Sequence, residues 1–420
     1  MTTRVKFSII SCSVLLTAVL VIGGVMGQEP AAEGAYRPLQ VYSDVLRHIK
    51  SNYVENPDMS KVTLGALQGL VEYLDPLSSY LTADQFRQVT SARENSDLGT
   101  GLSTGLVVHK RTGHTTVLAV LPGSSAEGVG VWPGDLVEAI DGLSTRVMPP
   151  AYLHALLSGK PGTNVKVLLR SLRNSDEPKE YLLVREQVKL PSVSRKILEP
   201  GIGYIDLDVV DRDRVAEVAV AVRALHAKGA RKIILDLRSN SVGQVQAGIP
   251  LANLFLSSGA IVSLKGRQHS EEKFEADVDS TVTDIPLALI SDRTTAGSAE
   301  LVAAALLDND RAQLVGERTY GLAAFQKTIK LKDGAALILS VAKYHRPDGE
   351  ALQDGGVTPS HPLSSAELRR YYELRYPADM DLSPSLQLSQ PGVNSVDQDP
   401  YIQKALEVLK ESTTPVKKAA

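Results

Sequence analysis

The sequence predicts a multidomain α/β protein with N-terminal helices, a small β-rich module and a larger domain of alternating strands and helices. Apolar residues recur at helical spacing between Tyr42 and Leu74. Short β-branched and leucine-rich runs, separated by Gly and Pro turns, follow from Leu98 to about Gln187 and indicate a β-rich module. From Val188 to about Leu363, apolar strands alternate with helical stripes. This alternation predicts an α/β domain whose turns at one edge build a site.

Composition excludes several classes of function. The chain has 420 residues, of which 43% are hydrophobic, so it is long and apolar enough for two or three folded domains. Its 45 basic and 48 acidic residues are spread along the chain and give a net charge of -3, so nucleic acid is not an expected partner. The single cysteine, Cys12, leaves no internal disulfide or thiolate metal site. No metal and no cofactor is expected.

The first 27 residues have the pattern of an export signal. Arg4 and Lys6 precede an almost unbroken apolar run over residues 7–26, which ends in small residues before Gln28. The run is about 20 residues long, which is also enough to span a bilayer. We expect an exported protein of the periplasm or cell envelope, with a cleaved signal peptide favoured over a membrane anchor in the inner membrane.

Two helices are predicted in residues 28–97. The first is predicted to be amphipathic with one buried face, because apolar residues recur at helical spacing: Tyr42, Val45, Leu46, Ile49 and Tyr53. In the second, Ser60 is the predicted cap, and the helix ends at Asp75-Pro76 because proline disfavours helical backbone in the residue before it.

The β-rich module, residues 98–187, carries two informative segments, Val117 to Glu127 and Trp132 to Gly142. Pro133-Gly134-Asp135 predicts a tight turn, and Asp141-Gly142 predicts a hairpin in which glycine takes a positive φ. Together the segments resemble a bacterial-type PDZ domain.

A PDZ domain binds a peptide C-terminus as an added strand, with the carboxylate at a Gly-containing loop. The candidate loop here is Gly101-Leu102-Ser103, followed by Thr104-Gly105 and the strand beyond. An ordinary glycine-rich entry to a strand is the alternative. His154 and Leu157, on a predicted helix from Ala151 to Ser158, are candidates for lining the groove, although a solvent-facing histidine is the favoured interpretation of His154.

The third region and the tail have predicted elements as follows. Strands are expected at 202–209, 232–237, 260–265, 286–291 and 335–344, and helices at 215–225, 245–256 and 301–307. The tail, 364–420, has helical patterns at 366–374 and from Asp399-Pro400 onward, which we expect to pack on their own domain rather than to pair subunits.

Two further stretches show a family resemblance. Asp75-Pro76-Leu77-Ser78-Ser79-Tyr80-Leu81 is similar to the "LDPHSSYL" stretch before the PDZ domain of the carboxyl-terminal processing, or tail-specific, serine peptidases. The stretch from Thr294 to Gln326 resembles their Ser/Lys catalytic segment. The resemblance extends from about Tyr42 to Pro362 and implies a crotonase-like ββα-spiral peptidase core at 188–363.

The residues at the reactive positions depart from the family pattern. The family nucleophile lies three residues before a glutamate, as in S-A-S-A-S-E, and counting back from Glu300 reaches Gly297. The family base lies in a G-K-G turn four residues before a glutamine. Gln326 retains that glutamine, but Leu322 replaces the lysine. Neither glycine nor leucine can attack a carbonyl or accept a proton.

A third departure follows the strand that ends at Arg238. The family continues with G-N-P-G-G, whose backbone helps to form the oxyanion hole, whereas this chain has Ser239-Asn240-Ser241-Val242-Gly243. We expect Val242 to alter this turn before Gly243.

Ser298 is the alternative nucleophile, with Lys327, Lys343 or His345 as a displaced base. A shift of one residue at a helix entry rotates the side chain by roughly 100°, so Ser298 is expected to cap the helix instead.

The sequence therefore favours a catalytically impaired peptidase homologue that binds peptide or protein C-termini, with an active peptidase paralogue as a further candidate partner. The alternatives are an active serine endopeptidase that uses Ser298 and a scaffold without a ligand.

Overall fold

A computed structural model describes residues 33–94, 103–171, 177–190, 192–375 and 398–411. The chain forms two compact units, divided between Ala66 and Leu67. The predicted signal peptide or membrane anchor, residues 1–27, lies outside the described residues. Within the described ranges, no helix is both long enough and apolar enough to cross a membrane.

Helices α1 (Glu33–Asn52) and α2 (Met59–Glu72) match the two predicted N-terminal helices. The predicted buried face of α1 is wrong, because Val45 is 51% exposed and none of the side chains described in α1 is buried. The predicted cap is wrong. Helix α2 begins before Ser60, and the Asp58 carboxylate accepts hydrogen bonds from the N–H groups of Ser60 and Lys61 at 3.0 and 3.3 Å. Aspartate caps a helix in the same way as serine, and it stands at the place where the chain enters the helix.

An antiparallel sheet forms the β-rich module. Its strands are β2 (Leu106–Arg111), β3 (His114–Val120), β4 (Leu136–Ile140), β5 (Leu143–Ser144), β6 (Asn164–Arg170) and β7 (Lys179–Val184). The order is β2-β3-β4-β6-β7, with β5 paired to β4, so β2 lies at an edge. Two helices accompany the sheet, α4 (Ser125–Gly128) and α5 (Pro150–Leu157).

One helix of this region was not predicted. Helix α3 (Ala83–Glu94) precedes the β-rich module and packs on α5. Its sequence signal is a capping box: the Gln85 N–H donates to the Thr82 hydroxyl, and the Thr82 N–H donates to the Gln85 side chain.

The α/β domain is built on a six-stranded sheet. Its strands are β8 (Ser194–Glu199), β9 (Ile202–Asp206), β10 (Lys232–Asp236), β13 (Leu287–Ser291), β14 (Ala312–Gly316) and β17 (His361–Pro362). The order is β17-β14-β13-β10-β9-β8, and every pairing is parallel except that of β8 with β9. Helices α6 (Arg212–Ala227), α7 (Gly248–Asn253) and α8 (Ser298–Asp308) pack against it in the largest apolar core.

The α/β domain has a second sheet, which includes one strand from the segment that precedes the β-rich module. It contains β1 (Ser79–Leu81), β11 (Ala260–Gly266), β12 (His269–Glu275), β15 (Ala324–Lys330) and β16 (Ala336–His345). Strand β1 pairs with β16, and the Asp75 carboxylate accepts hydrogen bonds from the Leu77 N–H and the Ser340 hydroxyl at 2.8 and 3.2 Å. The Asp75–Leu81 stretch is therefore built into the α/β domain.

The tail helices α9 (Ser365–Arg375) and α10 (Pro400–Glu411) pack on the six-stranded sheet. In α10, Tyr401, Ile402 and Leu406 are buried against sheet residues that include Ile234 and Ile290. The prediction that the tail packs on its own domain is confirmed.

Candidate peptidase-like site and peptide groove

The turn between β13 and α8 changes direction at Gly297. This residue has φ 62° and ψ -114°, a combination that side-chain-bearing residues rarely adopt. The Asp292 carboxylate holds the turn by accepting hydrogen bonds from the N–H groups of Thr294 and Thr295, each at 2.9 Å. A sharp, strained turn from a strand into a helix is the setting in which hydrolases of another fold present a nucleophile.

Glu300 ties this turn to a second one. Its buried carboxylate accepts hydrogen bonds from the N–H groups of Gly297 at 3.2 Å and Leu322 at 2.8 Å, and from that of Gly321. Burial raises the pKa of the Glu300 carboxyl, while these N–H donors oppose the rise. The structure thereby brings Gly297 and Leu322 together: a Cβ atom on Gly297 would lie 3.6 Å from the Leu322 carbonyl oxygen.

Leu322 lies in an apolar cluster that joins the β-rich module to the α/β domain. The cluster contains Val107 and Leu118 from the module and Val242 and Ala296 from the domain. Gln326, four residues further along, is exposed on β15, and its side-chain nitrogen donates to the Leu77 carbonyl at 2.8 Å.

The turn after β10 packs against the Gly297 turn, since the Ala296 N–H donates to the Asn240 carbonyl at 2.8 Å. Val242 is buried and does not have a positive φ. Gly243 has φ 114°, and a Cβ atom there would lie 2.2 Å from the Val210 carbonyl oxygen, so only glycine fits.

Ser298 does not cap α8. Gly297 occupies the N-cap position, no side chain caps the helix there, and Ser298 is its first residue. The chain enters the helix one residue earlier than predicted, because glycine permits the turn. The Ser298 side chain is 1% exposed, and its hydroxyl has no hydrogen-bond partner among the described residues, Lys327, Lys343 and His345 included.

Strand β2, which follows the predicted carboxylate loop, lies at an edge of its sheet. Within the described residues it pairs only with β3. At its start, the Ser103 hydroxyl donates to the Leu157 carbonyl at 3.3 Å, and Thr104 is fully buried. Gly105 has φ 76°, and a Cβ atom there would lie 2.0 Å from the Ser124 Cβ. Gly101 and Leu102, the other predicted loop residues, lie outside the described residues.

A cavity of about 360 Å³ runs from this edge to the peptidase-like turns. From the β-rich module it is lined by residues of β2, β3 and α5. Helix α3 adds Val89, Ala92 and Arg93. The α/β domain adds Ser241, Val242, Gly243, Leu322 and Gln326. The predicted peptide-binding edge therefore shares one cavity with Leu322, Val242 and Gly243, whereas Gly297 is not among the residues that line it.

The two groove candidates on α5 differ in outcome. His154 lines the cavity and is partly buried, so its interpretation as a solvent-facing residue is wrong. Leu157 is 1% exposed and belongs to the core of the β-rich module, because α5 turns Leu153 and Leu157 toward the sheet.

Sequence reasoning missed His109, a polar residue that directly follows the apolar first half of β2. It is 5% exposed, it lines the cavity, and its Nδ1 lies 2.7 Å from the Tyr320 hydroxyl. Burial lowers the pKa of His109 to about 3, so the ring is uncharged at neutral pH. Tyr320 directly precedes Gly321, so this contact connects β2 to the turn that Glu300 holds.

Metal ligation finds no support in the described ranges, where no group of three or more His, Cys, Asp or Glu residues is placed to hold an ion.

Burial also lowers the pKa of His154, to about 4. Both cavity histidines are therefore uncharged hydrogen-bonding groups at neutral pH.

Comparison with known proteins places the chain in a family. The profile of peptidase family S41 matches residues 201–363, and that of the PDZ domain matches residues 116–171. The carboxyl-terminal-processing protease of Synechocystis sp. is 33% identical over 353 residues, which cover 82% of this chain and 81% of that protein. The chain belongs to the carboxyl-terminal processing peptidases. This confirms the family and the fold class that the sequence predicts.

Two further carboxyl-terminal processing proteins agree. The carboxy-terminal processing protease CtpA of Bacillus subtilis is 30% identical over 356 residues, which cover 84% of this chain and 74% of that protein. The structure of a photosystem II D1 C-terminal processing protease matches with a TM-score of 0.62 at 24% identity, over 84% of this chain and 97% of that one. That likeness shows the shared fold.

Proposed function

We propose that this protein is a catalytically impaired carboxyl-terminal processing peptidase that binds protein C-termini without cutting them. The observation that carries the proposal is the pair Gly297 and Leu322, which Glu300 holds side by side at the positions that the family pattern assigns to nucleophile and base. A Ser/Lys peptidase needs a hydroxyl and an amine there. Loss of one member of such a unit typically costs about four to six orders of magnitude in turnover.

The proposed binding of a peptide C-terminus is inferred from the edge of strand β2. Within the described residues its outer edge is unpaired, so its backbone groups are available to an added strand, which is how PDZ domains bind peptides. Gly105 keeps the entry to this strand close to Ser124, and the cavity beside the strand leaves room for side chains. The proposed ligand is therefore an extended peptide with a free C-terminus.

Cleavage is tested by incubating the chain without residues 1–27 with an unstructured substrate that ends in apolar residues. The products are then analysed by mass spectrometry. We expect no products. Cleavage that disappears in a Ser298→Ala variant would overturn the proposal in favour of an active peptidase. The buried Ser298 hydroxyl, without a basic partner among the described residues, argues against that alternative.

The residue assignment is tested by rebuilding the dyad. A Gly297→Ser, Leu322→Lys variant should acquire cleavage, because a Cβ atom on Gly297 has room and faces the Leu322 backbone. The two single variants serve as controls and should stay inactive. Since Val242 replaces a glycine of the family turn, Val242→Gly is added in a third variant. If neither the double nor the triple variant cleaves, the assignment is wrong.

Ligand binding is tested with peptides that have free or amidated C-termini. Carboxylate recognition predicts markedly weaker binding of the amide, and equal binding would favour a scaffold that does not recognise C-termini.

We further propose that the protein is exported, on the pattern of residues 1–27. Cell fractionation tests this, since the protein should be found in the envelope or periplasmic fraction. An active paralogue remains a candidate partner, and co-purification with that paralogue tests it.

A further inference from the structure

The side chains of β2 alternate between two environments. Leu106 and Val108 are buried in the core of the β-rich module. Val107 and His109 lie on the opposite face, where Val107 packs in the cluster with Leu322 and His109 contacts Tyr320. One face of β2 is thus turned toward its own module and the other toward the peptidase-like turns.

A peptide strand added to the edge of β2 has the same alternation, because a side chain directly across a strand pair lies on the same face. This step rests on the proposed function. The loop at residues 103–105 lies at the start of β2, so a peptide whose carboxylate is bound there runs antiparallel to the strand. The ligand residue opposite Val107 is then two positions closer to the C-terminus than the one opposite His109.

The cavity differs along this face. Beside Val107 its lining is apolar, with Leu118, Val242 and Leu322. Two of the cavity-lining residues carry a buried polar side-chain atom without a hydrogen-bond partner in the described chain: His109, through Nε2, and Ser241, through Oγ. A buried polar atom without a partner costs free energy, which a ligand group able to hydrogen-bond would recover.

The ring of His109 suits an uncharged group. Its Nδ1 is engaged by Tyr320, which leaves Nε2 as a donor or an acceptor according to the tautomer. Because burial keeps the pKa of His109 near 3, the ring carries no charge that would attract a carboxylate. Hydroxyl and amide side chains both donate and accept, so either tautomer satisfies them.

We propose that His109 and Ser241 determine ligand specificity by binding a Ser, Thr, Asn or Gln side chain of the bound C-terminus, and that an apolar side chain lies two residues closer to the C-terminus, against Val107 and Leu322. The turns of the former active site would then form part of a side-chain subsite.

The test measures, by fluorescence anisotropy, the affinity of alanine-based peptides with a free carboxylate. Threonine or its isostere valine stands in turn at each of the five positions nearest the C-terminus. At one position threonine should bind about three- to tenfold more tightly than valine, the range expected for one net hydrogen bond. Two residues closer to the C-terminus, valine should bind at least as tightly as threonine.

Variants of His109 and Ser241 test whether these residues cause the preference for threonine over valine. His109→Phe should abolish the preference for threonine at that position alone, and Ser241→Ala should weaken it. His114→Phe, which alters an exposed histidine on β3, is the matched control and should keep it. Ser241→Ala gives an independent readout if His109→Phe fails to fold.

The outcomes separate the two proposals. Binding that requires the free carboxylate, but shows no threonine preference or keeps it in both cavity variants, overturns this inference and leaves the proposed function standing. If no peptide binds, or the amide binds equally, the proposed function fails, and this inference fails with it.

Discussion

At the scale of single residues, Gly297 and Gly105 show two different reasons for glycine. Both have positive φ. A Cβ atom on Gly297 meets no atom closer than 3.6 Å, whereas one on Gly105 would overlap the Ser124 side chain at 2.0 Å. Gly297 is required only for its backbone conformation. Gly105 is required both for its backbone conformation and because no Cβ atom fits beside Ser124. A nucleophilic side chain at Gly297 would therefore face strain without a steric clash.

Alanine substitutions should separate the two effects. Gly297→Ala should lower the free energy of unfolding by about 1–3 kcal/mol through backbone strain alone. Gly105→Ala should cost more, because it adds the clash with Ser124. Denaturant unfolding measures both, with Gly113→Ala as the control, since Gly113 has φ 76° and no atom near its Cβ position. Equal effects of the Gly105 and Gly113 substitutions would contradict this account.

His109 should make the fold sensitive to acid. Burial lowers its pKa from 6.5 to about 3. Between these pH values, His109 binds a proton in the unfolded chain but not in the folded chain. Stability from this residue is complete above pH 6.5 and is lost as the pH falls toward 3.

The corresponding measurement compares free energies of unfolding at pH 7.5 and pH 5. The decrease should be about 2 kcal/mol smaller in His109→Gln than in the wild type. His114→Gln, at the exposed position on β3, should retain the wild-type decrease. An unchanged decrease in His109→Gln would show that His109 is protonated readily in the folded protein.

At the scale of elements, the first turn of α8 organises the peptidase-like site through one side chain. The two oxygens of Glu300 divide their work: Oε2 accepts from Gly297 and Leu322, and Oε1 accepts from Gly321. Glu300 therefore fixes the entry to α8 relative to the turn before β15.

Glu300→Gln tests this connection. An amide can retain one oxygen as acceptor, but its NH₂ group would face an N–H donor, so we expect a loss of about 1–3 kcal/mol in the free energy of unfolding. Glu350→Gln, on an exposed carboxylate, should change it by no more than about 0.5 kcal/mol. Equal stability of the two variants would mean that the turns do not depend on Glu300.

The predictability of each element follows the range of its interactions. The alternation of strands and helices after Val188 and the PDZ turns at Pro133 to Gly142 are local patterns, and the sequence was sufficient for both. Helix α3 has an equally local signal in its capping residues, Thr82 and Gln85. The contacts of His109 with Tyr320 and of Ser78 with Ser340, which are 211 and 262 residues apart, are visible only in the folded chain.

At the scale of the whole unit that begins at Leu67, apolar clusters connect the parts. The six-stranded sheet is covered on one face by α6, α7 and α8 and on the other by α9 and α10. A smaller cluster around Val107, Val242 and Leu322 joins the β-rich module to this domain. Strand β2 is consequently fixed against the peptidase-like turns.

The tail helix should contribute to the stability of this unit without contributing to the cavity. Leu406 is 2% exposed in the cluster that covers the sheet, so Leu406→Ala should cost about 2–5 kcal/mol in the free energy of unfolding. Glu407→Ala, one residue further on the exposed side of α10, should stay within about 0.5 kcal/mol of the wild type.

No residue of α10 is among those that line the cavity, so peptide affinity measured well below the unfolding transition should be the same in both variants. Equal stability of the two would show that α10 is not an integral layer of the fold, and a loss of affinity in Leu406→Ala alone would show that the tail helix acts on the groove through the sheet.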